Sequence, residues 1–165
     1  MNPKQNLSEM TVHLKTPLGI CEISGDENGI SEIKILDVEK PPTKVIPEIL
    51  IPAVDQIEAY FNGKLQHFSF KLNPTGTVFQ KKVWQELNKI PFGETRSYMQ
   101  LSKELGDPKA IRAVAAANAK NPLWIVIPCH RVNGSDGSLI GYAGGLWRKK
   151  WLLGFENPPL QQELF

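Results

Sequence analysis

The sequence predicts an α/β protein of two small domains: an N-terminal strand-rich sheet and a C-terminal helical half containing a helix-turn-helix. Three observations predict this. Short runs rich in Val, Ile and Thr, punctuated by Gly, fill the first third of the chain. After Asn73-Pro-Thr-Gly76 the hydrophobic period becomes helical. Charge changes sign at the same place: residues 1–76 carry 7 Lys/Arg against 10 Asp/Glu, and residues 77–165 carry 12 against 7. Residues 95–150 alone carry 9 against 3. A basic segment favours polyanions, nucleic acid foremost, although such an asymmetry also arises by chance. With 165 residues, 41% hydrophobic and 22% charged, the composition is globular and excludes disorder, collagen and coiled coil. Apolar runs such as Leu123–Pro128 are far too short to span a membrane. The first residues lack the apolar core of a signal peptide. Two cysteines, Cys21 and Cys129, make neither a disulfide scaffold nor a four-thiolate zinc site. The expectation is a reducing, cytoplasmic home with no membrane partner.

The elements follow in order. Met10–Leu14, Leu18–Ser24 and Ile30–Leu36 read as strands, with Asn28-Gly29 as a hairpin signal. Pro41, Pro42 and Pro47 stop the sheet. Ile51–Asn62 reads as a helix with Val54, Ile57, Ala59, Tyr60 and Phe61 as its apolar positions and Gly63 as its terminator. The alternation Leu65, His67, Phe68, Phe70, Leu72 suggests a further strand. Val78–Lys89 places Phe79, Val83, Trp84 and Leu87 on one helical face, and Ile90-Pro-Phe-Gly93 breaks it. A short helix spans Tyr98–Leu105, capped by Ser97 with Gln100 three residues on. Gly106 ends it, and Asp107-Pro108 opens a helix running to about Lys120. These two form the helix-turn-helix candidate. The second contains six alanines, which suit either simple helix propensity or close approach to a groove; Arg112 is the one long cation within its small-residue face. Asn121-Pro122 turns the chain. The domains are expected at 1–75 and 76–157, followed by an extended tail at 158–165.

Leu123–Ile127 is a continuous apolar run, read as a buried strand that leads into Pro128-Cys-His-Arg-Val132. A thiol beside an imidazole is a nucleophile with a base, since only the thiolate attacks. Neighbours in an extended segment point apart, so Cys129 and His130 need a bend or a bridging water. Glu156 is the carboxylate nominated to orient the imidazole. The alternative reading is a buried structural cysteine followed by a capping histidine.

The residues resemble the O6-alkylguanine-DNA alkyltransferase family. The resemblance is carried by Gly76–Gln80, Val83-Trp84, Ile90–Thr95, Ser97-Tyr98, Arg112-Ala-Val114, Asn121-Pro122, Ile127–Val132, Gly141–Leu146, Lys150–Leu153 and Glu156, in one colinear order. The first 75 residues match in outline only. The resemblance implies a ribonuclease H-like N-terminal domain and a winged-helix-like C-terminal domain. It implies direct, single-turnover transfer of an alkyl group from O6-alkylguanine, and more weakly O4-alkylthymine, in duplex DNA to Cys129. The nucleotide would first be turned out of the stack. His130 would deprotonate Cys129 through a water, with Glu156 holding the imidazole, and Tyr98 would crowd the target phosphate and donate to the guanine ring nitrogen. Arg112 would fill the space of the flipped base, with Ala110 and Ala113 permitting approach to the minor groove and Ser97 beside the DNA. Asn121 would be the hinge to the active-site segment, and Arg131 would be structural. Backbone groups at Cys129, Val132 and Ala143 would read the guanine edge, within a pocket that also includes Tyr142. Trp124 and Ile140, both bulky, would stand at the pocket rim and favour methyl over benzyl-sized groups.

No cofactor is implied, and His13, Cys21 and His67 do not make a convincing metal set. The protein is expected to act as a monomer on double-stranded DNA containing alkylated bases. Its last residues, with Gln161, Leu164 and Phe165, resemble peptides that dock on the bacterial sliding clamp; the alternative is a frayed tail. Two other functions compete: a DNA-binding regulator with a structural cysteine, and a sensor that binds alkylguanine without transfer.

Overall fold

The computed structural model describes residues 8–134 and 141–158. Ile140 at the expected pocket rim, and the tail residues Gln161, Leu164 and Phe165, lie outside the described residues. The chain divides into two compact units, one ending at Thr75 and one beginning at Gly76.

The first unit is a three-stranded antiparallel meander. Strands β1 (Met10–Thr16), β2 (Gly19–Asp26) and β3 (Gly29–Leu36) lie in sequence order, with Val12 opposite Ile23 and Ile23 opposite Ile33. These three, with Cys21, Leu50 and Ile57, are at the centre of a buried core. Burying such side chains contributes about 1.5–3 kcal/mol each. The β2–β3 hairpin forms where Asn28-Gly29 indicated. Its central residues are Glu27 and Asn28, however, and Gly29 takes the positive φ of 130° while the register slips at Ser24/Gly25. Asp26 Oδ1 accepts from the Asn28 amide at 2.7 Å, which fixes the turn locally. Helix α1 (Ile51–Phe61) buries Ala53, Val54, Ile57 and Tyr60. It ends in a Schellman arrangement: Gly63, at φ 75°, donates to Tyr60, and Lys64 donates to Ala59.

The strand expected at Leu65–Leu72 does not form. Only a single bridge links Ile30 to Leu72. The backbone amide of Ser69 goes instead to Gln56 Oε1 of α1 at 2.8 Å, and Phe68 packs against Tyr60 at 5.5 Å. Gln56 of the helix has taken a backbone amide that a strand ladder would use.

The second unit is helical. Helix α2 (Val78–Leu87) starts at a Thr77/Gln80 capping box and buries Val83, Trp84 and Leu87. Phe79, expected on that face, is 39% exposed; the incoming chain at Gly76 already lies against the Trp84 ring. Trp84 Nε1 donates to the Ala117 carbonyl at 2.9 Å and pins the helices together. The helix-turn-helix consists of α3 (Tyr98–Glu104) and α4 (Ile111–Ala119). Ser97 and Gln100 exchange the reciprocal bonds of a capping box, at 3.0 and 2.8 Å. The expected single helix from Pro108 is divided. Residues Pro108–Ala110 form a 3-10 turn capped by Asp107, and α4 proper begins at Ile111. Two elements were not foreseen: a short parallel pair, β4 (Arg96–Ser97) with β5 (Val132–Asn133), and helix α5 (Leu146–Glu156). Among the described residues no helix is long and apolar enough to cross a membrane.

Gly76 tests this packing. A Cβ there would stand 2.5 Å from Cη2 of Trp84, whose indole is fixed by its bond to Ala117. Gly76→Ala is expected to cost about 1–3 kcal/mol of stability, the range for overpacking, and urea unfolding measures it. A variant as stable as the wild type would show that the Trp84 ring is not locked.

Candidate active site

The segment from Asn121 to Cys129 is buried, but it is not the strand the apolar run suggested. One amide side chain explains why. Asn121 Nδ2 donates to the Ile127 carbonyl at 2.8 Å and to that of Leu123 at 3.4 Å, and Oδ1 accepts from the Leu123 amide at 2.9 Å. Backbone bonds from Val126 to Trp124 and from Ile127 to Leu123 add to these within the loop. The groups so used are not available to a neighbouring strand. The tightness shows at Ile125, a buried β-branched residue held at φ 75°, a conformation that costs about 1–3 kcal/mol.

The loop delivers Cys129, His130 and Arg131 as one 3-10 turn, all buried. The bend required between thiol and imidazole is therefore intrinsic to the turn. Glu156, at the last position of α5, receives the two residues that follow the cysteine. His130 Nε2 lies 2.8 Å from Glu156 Oε2. Arg131 Nε donates to Oε1 at 2.7 Å and Nη2 to Oε2 at 2.9 Å, a bidentate fork. Arg131 Nη1 also reaches the Ile90 carbonyl at 2.7 Å. With Nε2–H directed at the carboxylate, Nδ1 of His130 carries the lone pair; it has no hydrogen-bond partner within the protein. Burial pushes the Glu156 carboxyl up, but its partners His130 and the Arg131 fork outweigh it and hold it well below the usual carboxylate range.

Cys129 is 3% exposed. Burial pushes its thiol up to about 11, against the pull of Asn121, of the Lys149 charge and of its own backbone. The resting group is thus a thiol, which needs a base to become a nucleophile. Lys149 was not anticipated. It is 0% exposed, donates from Nζ to the Val132 carbonyl at 2.6 Å, and is lowered by burial to about 8, with the Cys129 charge acting the other way. The spacing held the signal: Lys149, Leu152, Leu153 and Glu156 stand at i, i+3, i+4 and i+7, one face of one helix.

Cys129 lines a cavity of about 540 Å³ together with Tyr98, Arg112, Asn118, Tyr142 and Ala143. The helix-turn-helix and the Gly141–Ala143 segment therefore meet at the thiol. Arg112 and Ala113 are exposed on α4, and Ala110 closes the preceding 3-10 turn. Ser97 caps α3 beside Tyr98. Val132 lies beneath the site, fully buried, as the acceptor for Lys149. Trp124 is not in the cavity lining; its ring packs on Tyr142 at 5.8 Å. Gly144 permits that approach, since a Cβ there would stand 2.8 Å from the Tyr142 ring. Arg131, expected to be only structural, shares the Glu156 carboxylate with His130. Among the described residues no three His, Cys, Asp or Glu side chains gather as a metal site.

Comparison with known proteins follows the same division of the chain. Residues 78–158 match the family model for the DNA binding domain of 6-O-methylguanine DNA methyltransferase, and residues 11–74 match that for its ribonuclease-like domain. A methylated-DNA–protein-cysteine methyltransferase of Methanosarcina barkeri is 45% identical over 153 residues, spanning 90% of this chain and 97% of the relative. That of Mycobacterium leprae is 44% identical over 148 residues, spanning 87% and 90%. The crystal structure of Mycobacterium tuberculosis O6-methylguanine methyltransferase superposes with a TM-score of 0.81 at 39% identity, covering 92% of this chain and 94% of that one. A structure of a Mycobacterium tuberculosis protein, OGT, in complex with DNA gives 0.80 at 40% identity, covering 88% and 91%.

The buried carboxylate makes a stability prediction with a definite sign. Its folded pKa lies below the unfolded value of about 4.3. Its contribution is therefore present above that value and is lost as pH falls toward the folded pKa, at up to about 1.4 kcal/mol per pH unit. Glu156→Gln is expected to cost about 3–5 kcal/mol at pH 7 by leaving Arg131 buried without its counter-charge. The gap should narrow in urea melts taken from pH 5 to pH 3. A gap that stays constant would show that the carboxylate is not ionised in the fold.

Proposed function

Because the chain belongs to the 6-O-methylguanine DNA methyltransferase family, we propose that it repairs DNA by moving an alkyl group from guanine O6 to the sulfur of Cys129. The observation that carries this is a buried thiol lining a cavity of the helix-turn-helix and backed by the His130–Glu156 pair.

Duplex DNA binds across the exposed face of α4 that carries Arg112, with Ala110 and Ala113 allowing close approach to the minor groove and Ser97 beside the backbone. The alkylated nucleotide is rotated out, with Tyr98 crowding its phosphate and Arg112 occupying the space it leaves. Extrusion costs a few kcal/mol and least for a damaged pair. Backbone groups of Cys129, Val132 and Ala143 read the guanine edge beside Tyr142.

The chemistry needs three things of the protein: a base for the thiol, a partner for that base, and a donor for the leaving group. His130 Nδ1 takes the thiol proton through a water, and Glu156 stabilises the imidazolium that results. The Lys149 charge favours the thiolate. The sulfur then displaces guanine at the alkyl carbon in line: the S–C bond forms as the C–O6 bond breaks, and the electron pair passes to the purine. Tyr98 donates to the ring nitrogen as that charge develops. In sum, sulfur exchanges its proton for the alkyl group and guanine gains the proton. The thioether is not reversed, so each molecule acts once and needs no cofactor. O4-alkylthymine is a weaker substrate. Asn121 ties the helix-turn-helix to the reactive turn, so that binding and chemistry share one backbone. The protein works as a monomer, and the Gln161, Leu164, Phe165 tail gives it a dock on the sliding clamp.

Two measurements test the reading. Mixed with a duplex bearing one O6-methylguanine, the protein should gain one methyl per chain, mapped to Cys129, with guanine restored in equal amount, while Cys129→Ser gains none. Tight lesion binding without transfer would favour the damage sensor, and no lesion preference would favour the regulator. Free O6-benzylguanine should inactivate the wild type less readily than a Trp124→Pro, Ile140→Gly variant, because Trp124 backs Tyr142 of the cavity wall and Ile140 is bulky. Equal potency would remove the rim from the account.

A further inference from the structure

Tyr98 does not stand alone in the cavity wall. Asn118, on the neighbouring helix α4, is 5% exposed and donates from Nδ2 to Tyr98 Oη at 3.0 Å. Both residues line the cavity that holds Cys129. The direction of this bond has a chemical consequence. Since the tyrosine oxygen accepts from Asn118, its own proton is free to be given elsewhere. A phenol that donates a proton also gains negative charge on its oxygen, and a fixed N–H aimed at that oxygen strengthens as the charge grows.

Stability alone is a poor reason for an amide at this position. Asn118 Oδ1 is buried with no hydrogen-bond partner, a cost that an apolar side chain of the same shape would avoid. The surroundings also keep the phenol protonated until it is used. Burial raises the Tyr98 pKa, Asn118 lowers it, and the charge of Cys129 raises it again. The donor from Asn118 thus works against the two influences that oppose charge on the phenol oxygen.

We infer that Asn118 is a positioning residue for the alkyl transfer, holding the Tyr98 hydroxyl so that its proton faces the leaving purine and stabilising the charge left on its oxygen. The inference rests on the repair reading. As the C–O6 bond breaks, the purine ring nitrogen draws on the Tyr98 proton. That proton settles back on the phenol when guanine takes up the proton that left the thiol, so nothing beyond protein and DNA is consumed.

The test uses the full chain and a duplex with one O6-methylguanine, measuring the transfer rate at saturating protein separately from lesion affinity. Asn118→Leu keeps the shape and removes the donor; it should slow transfer about fivefold, the worth of one neutral hydrogen bond, with affinity changed less than about twofold. Asn118→Asp keeps the shape but can only accept, turning the phenol proton away from the purine, and should slow transfer about thirtyfold or more. In a Tyr98→Phe background Asn118→Leu should slow transfer no further. Thermal melts confirm that each variant is folded, and Asn118→Ala completes the same cycle if the leucine variant is not. A wild-type rate in Asn118→Leu overturns the inference, as does equal slowing with and without the Tyr98 hydroxyl, or an aspartate variant no slower than the leucine one. If the wild type transfers nothing, the repair reading itself falls; if it transfers and Asn118→Leu matches it, only this inference falls.

Discussion

A single buried carboxylate holds the C-terminal unit's chemistry together. Glu156 accepts from His130 on one side of its plane and takes the Arg131 fork on the other, while Arg131 reaches on to the carbonyl of Ile90. Three pieces of chain distant in sequence are thereby tied at one point: the end of α5, the turn that follows the Asn121 loop, and the segment after α2. The desolvation of these charges is severe, and only the near-complete pairing of both oxygens makes it tolerable. Once the carboxylate is fixed, the imidazole tautomer follows, and with it the side of the ring that can accept a proton.

The turn bearing Cys129 is held from its other end by a neutral group. Asn121 satisfies two backbone carbonyls and one amide of its own loop, and it does so at the C-terminal end of the helix-turn-helix. Asn121 thus ties the end of the helix-turn-helix to the loop that leads into the Cys129 turn. The left-handed backbone at Ile125 is the local strain that this compactness demands. Helix α5 supplies the balance of charge. Its buried face sets Lys149 two turns before Glu156, so that the two residues after Cys129 meet an anion and the carbonyl of Val132 beyond them meets a cation.

Much of this was legible in the chain itself. Local rules wrote the hairpin at Asn28-Gly29, the Gly63 terminator and the Ser97/Gln100 cap, because each depends on residues within a few positions of one another. Glu156 could be nominated as the partner of His130 but not placed against it, since nothing local links residues 26 apart. What misled was hydrophobicity without polar accounting. Leu123–Ile127 and Leu65–Leu72 both carry strand-like patterns, yet in each a nearby amide side chain, Asn121 or Gln56, takes the backbone groups a ladder would need. Helix α5 breaks the usual pattern of charged residues at the surface, since Lys149 is fully buried and Arg148 nearly so.

The depth of Cys129 has a consequence for the protein's life before it meets a lesion. With burial pushing its thiol up to about 11, the sulfur rests at neutral pH as the thiol rather than the thiolate. Peroxides and disulfides attack cysteines through the thiolate. On the proposed single-use chemistry, burial therefore keeps the sulfur away from oxidants as well as from stray alkylation until DNA is bound.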